Sequence, residues 1–357
     1  MKNKKMKLVK RILLSFFILG VLYLGFYPIP LDPVARKTPP FPGLEDDYKP
    51  NELLKSTQVV LVPHPGPESI VRDRLGNFYT GLANGDILQF DAEGNNQKTI
   101  ANTGGRPLGM KIAPSGELII ADHRKGLLAL DSLYKLRVLV DQYKGEKLLF
   151  VDDLDISNEG IVYFSNATQR NPDVVENEAW EQRASGALFA HDLLSGKTTL
   201  LKDDLFFPNG VALNESQDYF IFSETFGLSL SKYWLNGTKK NTIEVFNNEL
   251  PGYPDNVTFS EGIFWVAIPS QRAVAIEPIF EQAFLRSVLL RLPEAVRNSV
   301  IPGRYSMLLG FDESGRPVYN LQDPDGKYDS ITSVLQVDNQ LYLGSLTEPG
   351  LGIYTLK

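Results

Sequence analysis

The stretch FPNGVALNESQDYFIFSETFGLSLSKYWL, residues 207–235, holds one full copy of the pattern from which the chain is built. Asn209 opens a short apolar strand, NESQD makes a turn, YFIFSE runs back, and LSLSKYWL follows as a third strand. Alternating Ile, Val, Phe and Tyr between Gly, Asn and Asp turns spell β-hairpins. Working outward, the pattern recurs from Glu68 (ESIVRDRLGNFYTG), Leu108 (LGMKIAPSGELIIAD), Asp152 (DDLDISNEGIVYFSN), Asp255 (DNVTFSEGIFWVAIP) and Thr332 (TSVLQVDNQLYLGS). The turn glycine lies eight positions on in three copies (Gly76, Gly116, Gly160), Gln217 takes its place in the copy from Asn209, and Gly262 and Asn339 come one residue sooner. Six units, each a small antiparallel sheet, predict an all-β, six-bladed β-propeller, in which radial closure leaves only short edges.

The repeat has a consequence for chemistry. The first strand of each blade lines the central channel, so residues at one register converge on the axis. That register reads Glu68, Leu108, Asp152, Asn209, Asp255, Thr332. Three carboxylates and an amide at one level repel one another unless a cation lies among them. Oxygen-only ligands suit Ca²⁺ best, with Mg²⁺ or Mn²⁺ next. A hairpin start favours Asp or Asn on its own, which accounts for single copies but not for Glu68 in the same register. Glu68, Asp152, Asn209 and Asp255 are therefore the candidate metal ligands. Asp153 and Asn256, one residue further on, are candidates for the same ion or a second one, and Thr332 completes the ring.

The second strand returns beside this ring and brings His123, Ser165, Asn166, Glu224 and Ser345 to its rim. His123 is the natural general base near neutral pH, with Glu224 as the spare carboxylate. His64 reads as a linker residue and His191 as a blade-face residue. No G-x-S-x-G elbow, P-loop or dinucleotide fingerprint is present.

Composition narrows the partners. With no Cys there is no disulfide, thiolate nucleophile or thiolate-bound metal. A net charge of −7 argues against nucleic acid. Residues 1–31 carry six basic and no acidic side chains, and 12–31 are uncharged (ILLSFFILGVLYLGFYPIPL). This reads as a basic head and an uncleaved single-pass anchor whose helix Pro28 stops near Tyr27, because no small-x-small cleavage site follows. The positive-inside rule places the head in the cytoplasm and the bulk of the chain outside, in a periplasmic or extracellular space. Residues 32–63 form a Pro-rich linker and 64–357 the propeller. Between Asp255 and Thr332 a helical stretch puts Phe284, Leu285, Val288, Leu289 and Leu292 on one face, with Arg286 and Arg291 off it. Packing against the propeller or contact with the membrane surface are its two readings.

The blocks FPNGVALNESQDYFIFSETFGLSLSKYWLNG (207–237) and LPGYPDNVTFSEGIFWVAIPSQR (250–272) resemble the signature region of strictosidine-synthase-like proteins. The resemblance extends to GPESIVRDRLGNFYTG, FVDDLDIS and the terminal ITSVLQVDNQLYLGSL, and with the anchor it is nearest in type to the adipocyte plasma membrane-associated proteins of that family. It implies a propeller shared with paraoxonases and gluconolactonases. Glu68, Asn209 and Asp255 then match their metal ligands, Asp152 stands where paraoxonases carry Asn, and His123 matches a second-blade His. Leu108 stands where paraoxonases carry a further His, and Thr332 where the plant synthases carry their carboxylate. The resemblance thus implies a calcium-dependent hydrolase of small-molecule esters or lactones, of arylesterase or lactonase type. The alternatives are a non-catalytic anchored binding propeller with a structural metal, and a C–N bond-forming enzyme.

Overall fold

Six four-stranded antiparallel sheets follow one another along the chain, in a computed structural model that describes residues 2–298 and 301–356. Their innermost strands are Ile70–Arg72, Pro107–Ile112, Val151–Ile156, Pro208–Leu213, Val257–Ser260 and Ile331–Val337. This is the expected six-bladed propeller. Each blade packs against its neighbours through both faces, so the core is six wedges rather than one. Ile119, Ala121 and Leu127 of the second blade meet Leu154, Phe164 and Phe189 of the third. Ile221 and Leu230 of the fourth meet Phe264, Val266 and Leu309 of the fifth. Because both faces are covered, strands such as Leu118–Asp122 (LIIAD) and Ser306–Phe311 (SMLLGF) are buried along their whole length.

The ring closes with a borrowed strand. Gln58–Leu61 pairs antiparallel with Gly350–Thr355 as the outer strand of the sixth blade, in register Gln58↔Ile353 to Leu61↔Gly350. The segment expected as linker over 32–63 therefore ends inside a sheet, six residues earlier than the sequence boundary. QVVL is too short to announce itself as a strand, and its partner lies at the far end of the chain. The turns follow the expected residues: Gly76, Gly116 and Gly160 lie at φ 90°, 90° and 82°, and Gln217 adopts φ 56° in their stead. In the sixth blade Asp338, at φ 52°, takes the left-handed position instead of Asn339.

Helix α1 (Lys2–Phe26) ends just before Tyr27–Pro28, as expected, and its Lys4–Phe26 portion is long and apolar enough to cross a membrane. Four short helices follow: α2 (Glu176–Glu181), α3 (Glu277–Phe280), α4 (Ala283–Leu290) and α5 (Glu294–Asn298). They lie in two insertions, each placed between the second and third strands of a blade. Together with Met1–Thr38, segments Val175–Arg183 and Ala273–Ile301 form a unit of their own. Its core is Trp180, Ala273, Ile276 and Phe280, with Leu31, Leu289 and Leu290 against it. The apolar face expected on α4 is split, with Leu289 against this core and its amino-terminal end outside. Arg286 is fully buried and reaches the carbonyls of Val34 and Glu181, whereas Phe284 and Leu285 are exposed.

Close approach of inner strands near the axis demands glycine at Gly210. A Cβ there would lie 2.7 Å from the Asp255 carbonyl oxygen and from the Asn256 carbonyl carbon, and backbone cannot swing aside. Gly210→Ala is expected to cost about 1–3 kcal/mol, read as a thermal midpoint several degrees lower. Gly303→Ala, with nothing within 4 Å of the added methyl, should leave the midpoint in place.

Candidate functional site

At the hub the ladder between first and second strands is broken. The register slips between Pro107 and Met110, between Val151 and Leu154, between Pro208 and Val211, and between Ile331 and Ser333. The residues at these slips are the repeat register itself: Leu108, Asp152, Asn209 and Thr332. A β-bulge bends its strand and re-aims the side chains at the irregularity. The adjacent Asp152 and Asp153 are both buried at this irregularity. Two serines at the ends of second strands hold the bulges. Ser165 Oγ accepts from the Asp153 amide at 3.1 Å and donates to the Asn209 carbonyl at 2.7 Å. Ser223 Oγ repeats this one blade on, with the Gly210 amide at 2.8 Å and the Asp255 carbonyl at 2.7 Å. Ser165 thus positions neighbouring blades through backbone contacts, and Ser223 is a member of the same set that the sequence reading missed.

Glu68, Asp152 and Asn209 are 4%, 4% and 5% exposed, whereas Asp255 is only half-buried. Burial raises the pKa of Glu68, Asp152 and Asp255. Mutual repulsion adds to it: Asp152 faces the charges of Asp255 and Glu68, and Asp255 faces that of Glu68. The structure therefore does gather the three distant acids. Two contacts relieve the repulsion. Arg106 Nη2 donates to Glu68 Oε2 at 2.9 Å, and the Asn209 amide donates to the Asp255 carboxylate. Thr332, fully buried, donates Oγ1 to the Glu68 carbonyl at 2.8 Å.

The fit to a cation rests on what stays unsatisfied. Asp152 Oδ2 and Asn209 Oδ1 are buried without a hydrogen-bond partner, and such atoms are costly unless something binds them. An all-oxygen set of carboxylates and amide matches a hard divalent ion. Among the described residues, however, no three His, Asp or Glu side chains surround one point at ligand distance, since Glu68 is drawn to Arg106 and Asp255 to Asn209. Asp153 and Asn256 lie on a separate cavity of about 240 Å³, with Ser69, Met110, Lys111 and Ser333. Burial pushes the Asp153 carboxyl up to about 7, although its Oδ2 accepts from the Val211 amide at 3.0 Å. Both side-chain polar atoms of Asn256 are unpartnered.

Around the ring runs an aromatic arc. Phe150, Phe207 and Tyr253 each stand two residues before a ring position, and Phe226 lies between Phe207 and Tyr253, with neighbouring ring centroids 5.2–6.1 Å apart. His123 stacks on Phe150 at 3.9 Å and 24°. Burial, then the charge of Arg124, lowers the His123 pKa from 6.5, so the ring is neutral at pH 7 despite its hydrogen bond to the Pro172 backbone. Glu224, the other candidate base, is occupied locally: Oε1 accepts from the Phe206 amide at 2.8 Å and Oε2 lies 3.4 Å from Ser229 Oγ. His191 lies buried in a blade strand, its Nδ1 3.0 Å from Thr198 Oγ1, as expected of a blade residue.

Arg106, two residues before Leu108, is the counter-charge that sequence reasoning overlooked. Arg106→Met is expected to lower the thermal midpoint of the metal-free protein. It should also tighten calcium binding about tenfold, roughly 1.4 kcal/mol, by calorimetric titration. Equal affinity in both proteins would show that the guanidinium does not compete for Glu68.

A second expectation concerns pH. The ring acids have raised pKa values in the fold, so the folded chain holds protons that the unfolded chain releases near pH 4. Their contribution is complete at lower pH and is lost as pH climbs through the raised values. Without divalent cations the thermal midpoint should fall as pH rises above the ordinary carboxylate range. Added calcium should flatten that fall and release protons on binding.

Comparison with known proteins gives a consistent picture. The strictosidine synthase family profile matches residues 152–238, and the N-terminal profile of strictosidine synthase-like proteins matches 46–90. The protein "strictosidine synthase-like 10" of Arabidopsis thaliana is 32% identical over 344 residues, covering 85% of this chain and 89% of its own. Adipocyte plasma membrane-associated protein of Rattus norvegicus is 28% identical over 372 residues, covering 94% of this chain and 95% of its own. Among solved structures, a gluconolactonase from Xanthomonas campestris superposes with a TM-score of 0.61 at 14% identity, covering 93% of this chain and 99% of its own. The calcium-binding protein regucalcin of Agrobacterium tumefaciens superposes with a TM-score of 0.57 at 13% identity, covering 83% and 92%. At such identities these structures speak for the fold.

Proposed function

The chain belongs to the strictosidine synthase-like family, and from that footing we propose that it is a membrane-anchored, calcium-dependent hydrolase of small-molecule esters or lactones. The observation that carries the reading is the pair of buried, unpartnered oxygens, Asp152 Oδ2 and Asn209 Oδ1, in a hub bordered by aromatic rings. Glu68, Asp152, Asn209 and Asp255 would hold the ion. When bound, a divalent cation polarises the ester carbonyl and stabilises the negative charge that develops on its oxygen. Asp255 is the least buried of the four. The arc of Phe150, Phe207, Phe226 and Tyr253 suits an apolar or aryl group next to the scissile carbonyl.

His123 does the proton work in this reading. Its neutral imidazole accepts a proton from the attacking water as the C–O bond forms. It then returns the proton to the alcohol oxygen as the acyl–oxygen bond breaks, so that water plus ester gives acid plus alcohol. The lowered pKa keeps it in the base form down to a pH below 6.5. Glu224 is the weaker candidate because its carboxylate already holds the Phe206 amide. The C–N bond-forming alternative lacks a carboxylate at the last-blade register, where Thr332 is buried and bonded to the Glu68 carbonyl. The binding-propeller alternative draws on the Glu68–Arg106 pair, which satisfies one acid without any ion. The basic head puts the propeller on the extracytoplasmic side in this reading.

The test is hydrolysis of phenyl acetate and simple lactones by the full chain in detergent, with calcium and with chelator. Calcium-dependent turnover is expected, abolished by Asn209→Ala and Asp255→Asn. His123→Gln should reduce kcat by roughly 10²–10⁴-fold, and Glu224→Gln by much less. A folded chain that binds calcium yet hydrolyses nothing above the background rate would favour the binding propeller.

A further inference from the structure

Helix α4 packs Leu289 and Leu290 on the core of its unit yet leaves further apolar side chains outside. Phe284 is 62% and Leu285 41% exposed, whereas Arg286, the only charged residue of the helix, is 0% exposed. A water-facing amphipathic helix places apolar side chains inward and charge outward. Here the inward guanidinium joins α4 to the carbonyls of Val34 and Glu181, and the outward face carries no charge.

The position of α4 within its unit says what that face meets. The helix contacts α1. Just beyond its carboxy end, Arg291 Nε donates to the Tyr27 carbonyl at 2.6 Å, and Arg291 Nη1 donates to the Ser287 carbonyl at 2.6 Å. Tyr27 follows the last turn of α1 and pairs with Tyr23, ring centroids 5.0 Å apart. Tyrosines at the end of a spanning helix sit at headgroup level. If α1 spans, Arg291 is pinned at that level, and all of α4, about 12 Å long at 1.5 Å per residue, lies within reach of the bilayer surface.

We propose that α4 lies in the headgroup–acyl boundary of the bilayer that α1 crosses, with Phe284 and Leu285 inserted as apolar contacts. The proposal rests on reading α1 as a membrane span. A second copy of the chain is the poorer occupant, because a stable interface needs about 800 Å² per partner and two side chains on one short helix offer a fraction of that. A bilayer needs no minimum patch, since α1 already supplies the tether. The inserted helix would fix the tilt of its unit, which a single spanning helix with a free end does not do.

The absence of cysteine makes the test direct. Full-length Phe284→Cys, Phe16→Cys and Leu194→Cys, each labelled with one environment-sensitive fluorophore, are placed in lipid nanodiscs. Leu194 is 95% exposed on a blade turn and serves as the aqueous control. The labels at 284 and 16 are expected to be quenched by nitroxide lipid and shielded several-fold from iodide relative to 194, with 284 shallower than 16. Leu285→Cys should repeat the result if replacing Phe284 disturbs the helix. Iodide access at 284 equal to that at 194, with 16 still in lipid, would overturn the proposal and leave the anchor standing. A label at 16 outside lipid would bring down both. Shielding at 284 that grows with chains per disc, without lipid quenching, would assign the face to a second copy and refute the proposal.

Discussion

Everything at the hub follows from the mutual repulsion of Glu68, Asp152 and Asp255. The three acids come from the first, third and fifth blades, and the fold gives them no freedom to move apart because each is fixed at the start of an inner strand. Burial and proximity together raise their pKa values. Only three remedies exist for such a cluster: protons, a fixed cationic side chain, or a bound ion. Arg106 supplies the second, paired directly with Glu68 and reaching Asp152 only through its longer-range charge. Asp152 Oδ2 is left to the other two.

The architecture around the hub reads as the means of holding that arrangement. Bulges re-aim the inner strands at the ring register, while Ser165 and Ser223 tie the third- and fourth-blade bulges to the next blade's ring residue through its carbonyl. The six apolar wedges outside are dense and shared between adjacent blades, so displacement of one ring residue would have to displace two blades. Preorganisation of this kind fixes the acids before any ion arrives, and in the proposed hydrolase that ion, not the acids, would meet the developing oxyanion. It also explains why a Cβ at Gly210 cannot be absorbed locally.

The blades and the ring register were legible in the sequence because both depend on a repeat: Glu68, Asp152, Asn209 and Asp255 could be aligned without knowing any distance. The bulges were not legible, since a bulge leaves only a slip in pairing, and the sole hint was glycine after Leu108 and Asn209. Arg106 was missed for a related reason: it pairs with a residue one blade back, 38 positions away, and no repeat copy carries an equivalent Arg. Gln58–Leu61 escaped because its partner strand lies at the other terminus. The periodicity of α4 correctly signalled a helix, but not which side faces out. An arginine that satisfies backbone carbonyls from two other segments counts as buried polar structure, which hydropathy cannot foresee.

The closing strand brings an early segment of the chain into the last blade. Residues 58–61 complete the sixth blade, and residues 27–57 separate them from the end of helix α1. Four antiparallel register pairs hold the strand. Loss of that strand would expose the edge of Gly350–Thr355 and uncover Tyr342 and Leu351, which pack with Val60 and Val62. The same sixth blade carries Thr332 and Ser333, the residues whose hydroxyls hold the Glu68 carbonyl. Through those two hydrogen bonds the state of the outermost strand is coupled to the innermost ring.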